Sequence, residues 1–184
     1  MKKSTMIILG IVVVVVLYAW SSYNSLVSQN EAVDASWAKV ETQYQRRFDL
    51  IPNLVASVKG ILTQEQKIFA DIADARTKYA GAATPNAKAE AAGQVESALS
   101  RLLVIMENYP VLNSYQTVQD LMSQLEGTEN RVSVERSRFN DEIRAYNLNV
   151  KTFPKSLMAK LFSFDERAYF EAVESSAVAP KVEL

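Results

Sequence analysis

Apolar residues recur every seven positions along the stretch from Tyr23 to Ile51. One register holds Leu26, Val33 and Val40, and the interleaved register holds Asn30, Trp37, Tyr44 and Ile51. A period of about 3.5 residues is typical of a helix that packs against other helices along one face. Because no Gly or Pro occurs between Gly10 and Pro52, the pattern predicts a helix that leaves a membrane and becomes the first helix of a bundle.

The N-terminal segment is apolar enough to cross a membrane. No charged residue lies between Ser4 and Asn30, and residues 6–20 are apolar apart from one Gly. Three aromatic residues cluster where the edge of the membrane would lie, namely Tyr18, Trp20 and Tyr23. We expect an uncleaved anchor over residues 1–22, with a cleaved signal peptide as the alternative. Two lysines precede the span, so the positive-inside rule predicts a cytoplasmic N-terminus and a bundle on the other side.

Two shorter helical patterns follow. Asp49 can cap a new helix and Pro52 would lie in its first turn, so the chain is expected to bend there. The second helix would bury Leu54, Val58, Ile61, Leu62, Ile68, Phe69 and Ile72. Gly81 should end it, and Thr84 should cap a third helix from Pro85 to Met106. The Ala-rich first half of that third helix is expected to be the more exposed half.

The longest helical pattern runs from about Asn113 to Thr152. Its first register contains Val118, Leu125, Val132, Phe139, Tyr146 and Phe153, and its companion contains Met122, Glu129, Arg136, Ile143 and Val150. Gly127 should weaken this helix and mark a kink or a close approach. The complete pattern predicts an all-α fold, in which an N-terminal transmembrane helix continues into a long antiparallel four-helix bundle with a short extra C-terminal helix. The bundle would cover residues 23–174, and residues 175–184 would form a disordered tail.

Composition narrows the functional classes. The 184 residues carry a net charge of -1 and contain neither Cys nor His. A nucleic-acid-binding protein would need a basic surface, so no nucleic-acid partner is expected. In proteins, Cys and His supply many of the nucleophiles, general bases and metal ligands, and this chain contains neither. The sequence therefore predicts a protein that is not an enzyme and uses no cofactor or metal.

Two sets of polar residues are candidates for a specific role. Asparagine follows an aromatic residue at Asn24, Asn140 and Asn147. These amides either set the register of the helices or form a polar recognition face. Charged residues on or beside the packing faces form the second set: Arg46, Arg47, Asp49, Glu129 and Arg136. They are interpreted as ion pairs that set register, with a ligand site as the alternative.

Several long motifs resemble the LemA family of bacterial single-span membrane proteins. They are YNSLV at residues 23–27, SWAKVETQYQRRFDLIPNLVASVKG at 36–60, ENYPVLNS at 107–114 and TENRVSVERSRFNDEIRAYNLNVKTFP at 128–154. The resemblance implies a bundle anchored in the bacterial inner membrane on its periplasmic side, without an established catalytic activity. It also implies an association with the shaping of membrane compartments, and a place beside membrane proteases. Gln64 stands where the family often has His, which argues against acid-base or metal chemistry there.

Three functional hypotheses follow from these observations. The first is a scaffold that self-associates as a homo-oligomer on membrane lipid and organises or remodels the envelope membrane. The second is an adaptor that presents its bundle to a membrane protease or another envelope protein. The third, an enzyme, finds the least support in the residues present.

Overall fold

The computed structural model describes residues 3–170, a part of the chain that contains five α-helices and no strand. The helices are α1 (Lys3–Lys59), α2 (Gln66–Gly81), α3 (Pro85–Glu107), α4 (Gln116–Lys151) and α5 (Lys155–Leu161). A 3-10 turn, Leu112–Ser114, precedes α4. The expected disordered tail at residues 175–184 lies outside the described residues.

The chain divides into two compact units. Unit 1 comprises Met1–Ala38 and Ser137–Tyr169, and unit 2 comprises Lys39–Arg136 and Phe170–Leu184. Helices α1 and α4 contribute residues to both units, whereas α2 and α3 belong to unit 2 and α5 belongs to unit 1. The expected boundaries at residues 22 and 174 stay predictions.

Unit 2 is an antiparallel four-helix bundle. Along α1 and α4, Tyr44 contacts Arg136 whereas Arg47 pairs with Glu129, so the two helices run in opposite directions. Along α2 and α3, Lys78 bonds Gln94 and Asp71 pairs with Arg101, which shows the same antiparallel order. Its core is filled by large side chains, among them Ile51, Leu54, Leu62, Leu99, Leu102 and Leu112.

Helix α1 continues through Pro52 to Lys59. The bend predicted at Pro52 is therefore wrong, and the second helix begins later than predicted, at Gln66. Ile51, Leu54 and Val58 are all buried on one face of α1. This packing outweighs the hydrogen bond that a proline removes from a helix interior. The chain turns at residues 60–65, and Asp49 lies inside α1 rather than at a cap.

The hairpin of α2 and α3 follows the predicted boundaries closely. Helix α2 ends at Gly81, and the Thr84 side chain accepts a hydrogen bond from the Ala87 amide at 3.2 Å. The expectation of an exposed first half of α3 is wrong, since Ala89, Ala91 and Ala92 are buried. Small side chains pack at short interhelical distances, so an Ala-rich stretch can line a core.

Helix α4 confirms the heptad pattern, because Val118, Leu125, Val132, Phe139 and Tyr146 are all buried. The sixth position, Phe153, is 79 % exposed and lies beyond the helix. A methyl group added at Gly127 would meet nothing within 4 Å, so the predicted close approach does not occur. Helix α4 is continuous through this glycine.

Unit 1 pairs the first part of α1 with the last part of α4. Gln29 bonds Asn149 and Trp37 packs on Phe139 with ring centroids 5.3 Å apart, which again shows an antiparallel pair. Helix α5 ends when Ser163 adopts a positive φ of 57° and the Phe164 amide donates to the Ala159 carbonyl at 2.9 Å. This is a Schellman cap, and the chain then continues along unit 1 to Tyr169.

Candidate functional site

The N-terminal part of α1 is an exposed apolar helix. Its large side chains at residues 6–17 are between 51 % and 66 % exposed, and its most apolar stretch buries no residue within the protein. Among the described residues, α1 is the one helix that is long and apolar enough to cross a membrane. An apolar surface of this size is unfavourable in water and favourable in a bilayer.

The three predicted interface aromatics lie at the end of this apolar surface. Tyr18, Trp20 and Tyr23 are all exposed, and Trp20 has the largest exposed fraction, 72 %. The Tyr23 ring also makes edge contacts with Phe162 and Phe164, at centroid distances of 4.8 and 5.9 Å. The chain after α5 is therefore held against α1 where its apolar surface ends.

Unit 2 contains a group of charges around the buried Arg47 side chain, here called the charge cluster: Arg47, Arg136, Glu96 and Glu129. Arg47 pairs with Glu129 and lies 3.6 Å from Glu96. Arg136 Nη2 lies 2.8 Å from the same Glu96 carboxylate. Arg47, Arg136 and Glu129 are three of the predicted candidates, and Glu96 on α3 joins the two arginines. Two positive and two negative charges balance, which suits an internal structural layer more than a charged ligand site.

Aromatic rings surround the charge cluster. Arg136 Nε donates to the Tyr44 hydroxyl at 2.9 Å, and its guanidinium lies 4.8 Å from the Phe170 ring centroid. The Tyr44 ring stacks on Phe48, and both rings contact Tyr79. A guanidinium over an aromatic face gains cation–π attraction and remains partly shielded from water.

Burial dominates the electrostatics of this region. Burial raises the pKa of Tyr44 to about 12, although the positive charge of Arg136 acts in the opposite direction. Burial also lowers the pKa of Arg47, partly offset by the charge of Glu96. Arg47 Nε has no hydrogen-bond partner among the described residues. These shifts mark the cost of removing charges from water, and the cluster offers no nucleophile that they would activate.

A second polar group lies in unit 1 and is here called the Arg167 clamp. The Asn147 amide donates to the Arg167 carbonyl at 2.8 Å and accepts from the Arg167 amide at 2.9 Å. The Arg167 guanidinium donates to Asn30 at 2.8 Å and pairs with Asp34 at 3.1 Å. These bonds attach the segment after α5 to both α1 and α4. Asn147 thus bonds a segment about 20 residues further along the chain.

The other predicted polar residues are more dispersed. Asn24 and Arg46 are exposed, and neither bonds another described residue. Asp49 is exposed and accepts a hydrogen bond of 3.4 Å from Gln45 one turn earlier. Asn140 is half-buried on α4. The structure therefore divides the candidates between the charge cluster and the Arg167 clamp, and leaves Asn24, Arg46 and Asp49 at the surface.

Sequence reasoning missed Glu96, Arg167 and Lys155. Lys155 donates to Ser25 at 3.1 Å and to Asn149 at 2.8 Å, which ties α5 to the two longer helices. Glu96 lies directly after buried Val95 on α3, and this position beside a core face was the available signal. No periodic pattern marks Arg167, because it lies in a segment without helix or strand.

Within residues 3–170, no group of three or more carboxylate, imidazole or thiol side chains could hold a metal ion. A groove of about 520 Å³ lies in unit 2 between α2 and α3. Its charged lining carries both signs and includes Asp71, Asp74, Lys78, Glu90 and Arg101. It is an open groove on the surface of unit 2.

Comparison with known proteins places these features in context. The LemA family matches residues 36–184. The chain is 27% identical over 175 residues to the magnetosome proteins MamQ 1 and MamQ 2 of Paramagnetospirillum magneticum, covering 81% of this chain and 64% of each relative. It is 26% identical over 189 residues to the magnetosome protein MamQ of Magnetospirillum gryphiswaldense, covering 87% of this chain and 70% of that relative. The chain thus spans less than two thirds of the length of the first two.

Proposed function

The chain belongs to the LemA family, and from this premise we propose that it is a non-enzymatic scaffold that self-associates on a membrane. In this proposal α1 anchors the protein in the bacterial inner membrane. The residues that follow the span lie on the periplasmic side, where contacts between copies organise or remodel the envelope membrane. The relatives are named as magnetosome proteins, which suits a role at a membrane.

The exposed apolar part of α1 is the observation that carries the proposal. Residues 6–17 expose more than half of each large apolar side chain, and the same helix continues without interruption into packed residues of unit 1. Because the apolar span and the packed residues that follow it belong to one helix, the span holds the folded part of the chain at the membrane.

Contacts between copies need exposed apolar positions outside the span. Unit 2 offers four large ones: Val104, Val111, Tyr115 and Val134. Scattered apolar residues are common on protein surfaces. They nevertheless define where a contact between bundles would bury apolar area, and they make self-association testable residue by residue.

Particle size in mild detergent tests the scaffold. We expect light scattering and negative-stain images of the full-length protein to show large closed or lattice-like particles. Single bundles in single micelles would contradict self-association. The membrane orientation is tested separately by Ala35→Cys, which should react with an impermeant maleimide in spheroplasts, whereas Ser4→Cys, which keeps both N-terminal lysines, should react only after lysis.

An adaptor is the second candidate function, favoured by the polar groove between α2 and α3. Its mixed charges suit a hydrated, reversible contact with a membrane protease or another envelope protein. Crosslinking in cells should then recover a second protein, and recovery of this chain alone would argue against the adaptor. Hydrolytic activity that survives purification and is lost in Glu129→Gln would contradict the non-enzymatic assignment.

A further inference from the structure

Helix α5 has two opposite faces, of which only one packs within unit 1. Lys155 and Ala159 lie four residues apart on the first face. Ala159 is buried, and Lys155 bonds Ser25 and Asn149. Leu157 and Leu161 lie two residues further along, about 200° around the helix. They are 55 % and 68 % exposed, so the second face is apolar and uncovered in the structure.

This uncovered face continues into other exposed apolar residues. Phe153 precedes α5 with 79 % exposure, and Phe162 follows it with 46 % exposure. Phe153, Leu157, Leu161 and Phe162 together form what we call the α5 apolar face. Four large apolar residues within ten positions of a short segment exceed what isolated surface residues explain.

The α5 apolar face lies close to the end of the membrane span. Phe162 and Phe164 pack on Tyr23, three residues after Trp20. A hydrocarbon core of about 30 Å takes up about 20 helical residues. A span that begins near Ser4 therefore ends close to Tyr23. The segment held on Tyr23 thus lies at the level where a bilayer changes from acyl chains to head groups.

From this placement we propose that the α5 apolar face inserts into the interfacial layer of the bilayer, in the leaflet from which α1 emerges. Lipid covers this face: acyl chains contact Leu157 and Leu161, and the exposed Lys160 ammonium faces lipid phosphate. Aromatic and basic residues beside an apolar face are the usual composition of segments that lie in a membrane interface. The proposal rests on the anchoring by α1 that the proposed function assumes.

Insertion beside the span would give the protein a shallow wedge in one leaflet. A transmembrane helix alone displaces both leaflets equally, whereas α5 adds volume to one of them. This asymmetry links unit 1 to the remodelling of a membrane without any contact between copies. The inference is therefore separable from self-association.

Spin labels on single cysteines test the insertion. The chain contains no Cys, so Leu157→Cys, Leu161→Cys and Ala35→Cys each create one labelling site. The full-length variants are reconstituted into vesicles of phosphatidylethanolamine and phosphatidylglycerol. Ala35 is exposed and lies 12 residues beyond Tyr23 on α1, which is about 18 Å along the helix axis. It serves as the control in water.

We expect labels at positions 157 and 161 to lose most collisions with an aqueous nickel complex and to keep those with oxygen, which concentrates in lipid. The label at position 35 should show the reverse. Equal aqueous accessibility at positions 161 and 35 would overturn the insertion. Protection of position 161 from both reagents would mean that protein covers the α5 apolar face, and would overturn it as well.

Two further measurements separate the possible failures. A label at Val13→Cys reports the anchor itself. A label in lipid at position 13 together with a label in water at position 161 would reject only the insertion. Labels in water at both positions would reject the anchoring by α1 as well. In the unsubstituted protein, a lipid with a photoreactive acyl chain should form adducts within residues 153–162. Adducts confined to residues 4–23 would contradict the proposal.

Discussion

Glu96 is the residue on which the charge cluster depends. Its single carboxylate lies within 3.6 Å of Arg47 and 2.8 Å of Arg136, two cations contributed by α1 and α4. Buried ion pairs add little net stability, but removal of one partner leaves an uncompensated charge away from water. The cluster therefore acts mainly by excluding packings in which these charges would be unpaired.

Glu96→Ala should lower the free energy of unfolding by about 1 to 3 kcal/mol, because Arg136 loses a hydrogen-bonded counter-charge in a partly buried site, whereas Arg47 keeps Glu129. Guanidinium unfolding of the full-length protein in mild detergent measures the change. Glu90→Ala on the same helix is the matched control, since Glu90 is exposed, and it should change stability by less than about 0.5 kcal/mol. Equal effects of the two substitutions would show that the charge cluster is not a stabilising layer.

Two tyrosines in unit 2 should respond oppositely to the same substitution. The Tyr44 hydroxyl accepts from Arg136, whereas the buried Tyr79 hydroxyl has no partner among the described residues. Tyr44→Phe should cost roughly 1.5 to 3 kcal/mol through the lost bond to a charged donor. Tyr79→Phe should be neutral or stabilise by about 1 kcal/mol, because it removes an unpaired polar group. Urea unfolding at pH 7 compares them, and a larger loss from Tyr79→Phe would contradict the assignment.

The same residues predict an alkaline loss of stability. Burial raises the pKa of both Tyr44 and Tyr79 from 10.0 to about 12. Between these values the unfolded chain releases protons that the folded protein retains, so stability is complete below pH 10 and falls as pH rises towards 12. The fall should be shallower in Tyr79→Phe than in the unsubstituted protein. An unchanged slope in unfolding curves measured across this range would show that Tyr79 titrates normally.

At the scale of elements, the aromatic pair in unit 1 holds α1 against α4. Trp37 and Phe139 are both buried, with their rings 5.3 Å apart. Trp37→Ala or Phe139→Ala should each destabilise the protein by roughly 3 to 5 kcal/mol, as expected for an emptied aromatic core site. A loss below about 1 kcal/mol in denaturant unfolding would place these rings against a partner or lipid instead. Val104→Ala, at an exposed apolar position, is the control.

By helix propensity alone, Pro52 is the most destabilising residue inside α1. It lies in the helix interior and is exposed, so its ring contributes little packing. Pro52→Ala restores a backbone hydrogen bond and should raise the stability by about 1 to 3 kcal/mol, measured by thermal unfolding monitored at 222 nm. A loss of stability would mean that the bundle requires the local geometry that proline imposes on α1.

At the scale of the whole molecule, self-association can be separated from folding by a pair of neighbouring substitutions. Val134 is an exposed apolar residue of α4, and the adjacent Ser133 is exposed and polar. If Val134 lies in a contact between copies, Val134→Glu should reduce the particle size in detergent, because the contact would bury an unpaired charge. Ser133→Glu adds the same charge and should leave the size unchanged. Equal particle sizes in light scattering would exclude Val134 from the contact.

The all-α class of the fold and most of its helices follow from local sequence patterns. The heptad repeats predicted α1 and α4 because a buried stripe requires apolar residues at fixed spacing, and Thr84 marked the start of α3 because its hydroxyl can satisfy a free amide. The bend predicted at Pro52 was wrong, since local propensity disfavours a proline in a helix but tertiary packing tolerates it. The exposure predicted for the Ala-rich part of α3 was wrong as well, because burial depends on how closely the neighbouring helix approaches.

Which polar residues meet depends on how the helices pack together, and local sequence does not specify it. Arg47 and Arg136 stand out in their own helices, but their shared partner Glu96 lies on a third helix, and no local rule relates its position to theirs. Arg167 and Lys155 acquire partners because α5 and the following segment fold back onto α1 and α4. The exposure of Leu157 and Leu161 is also a tertiary result, since periodicity identifies an apolar face but not what covers it.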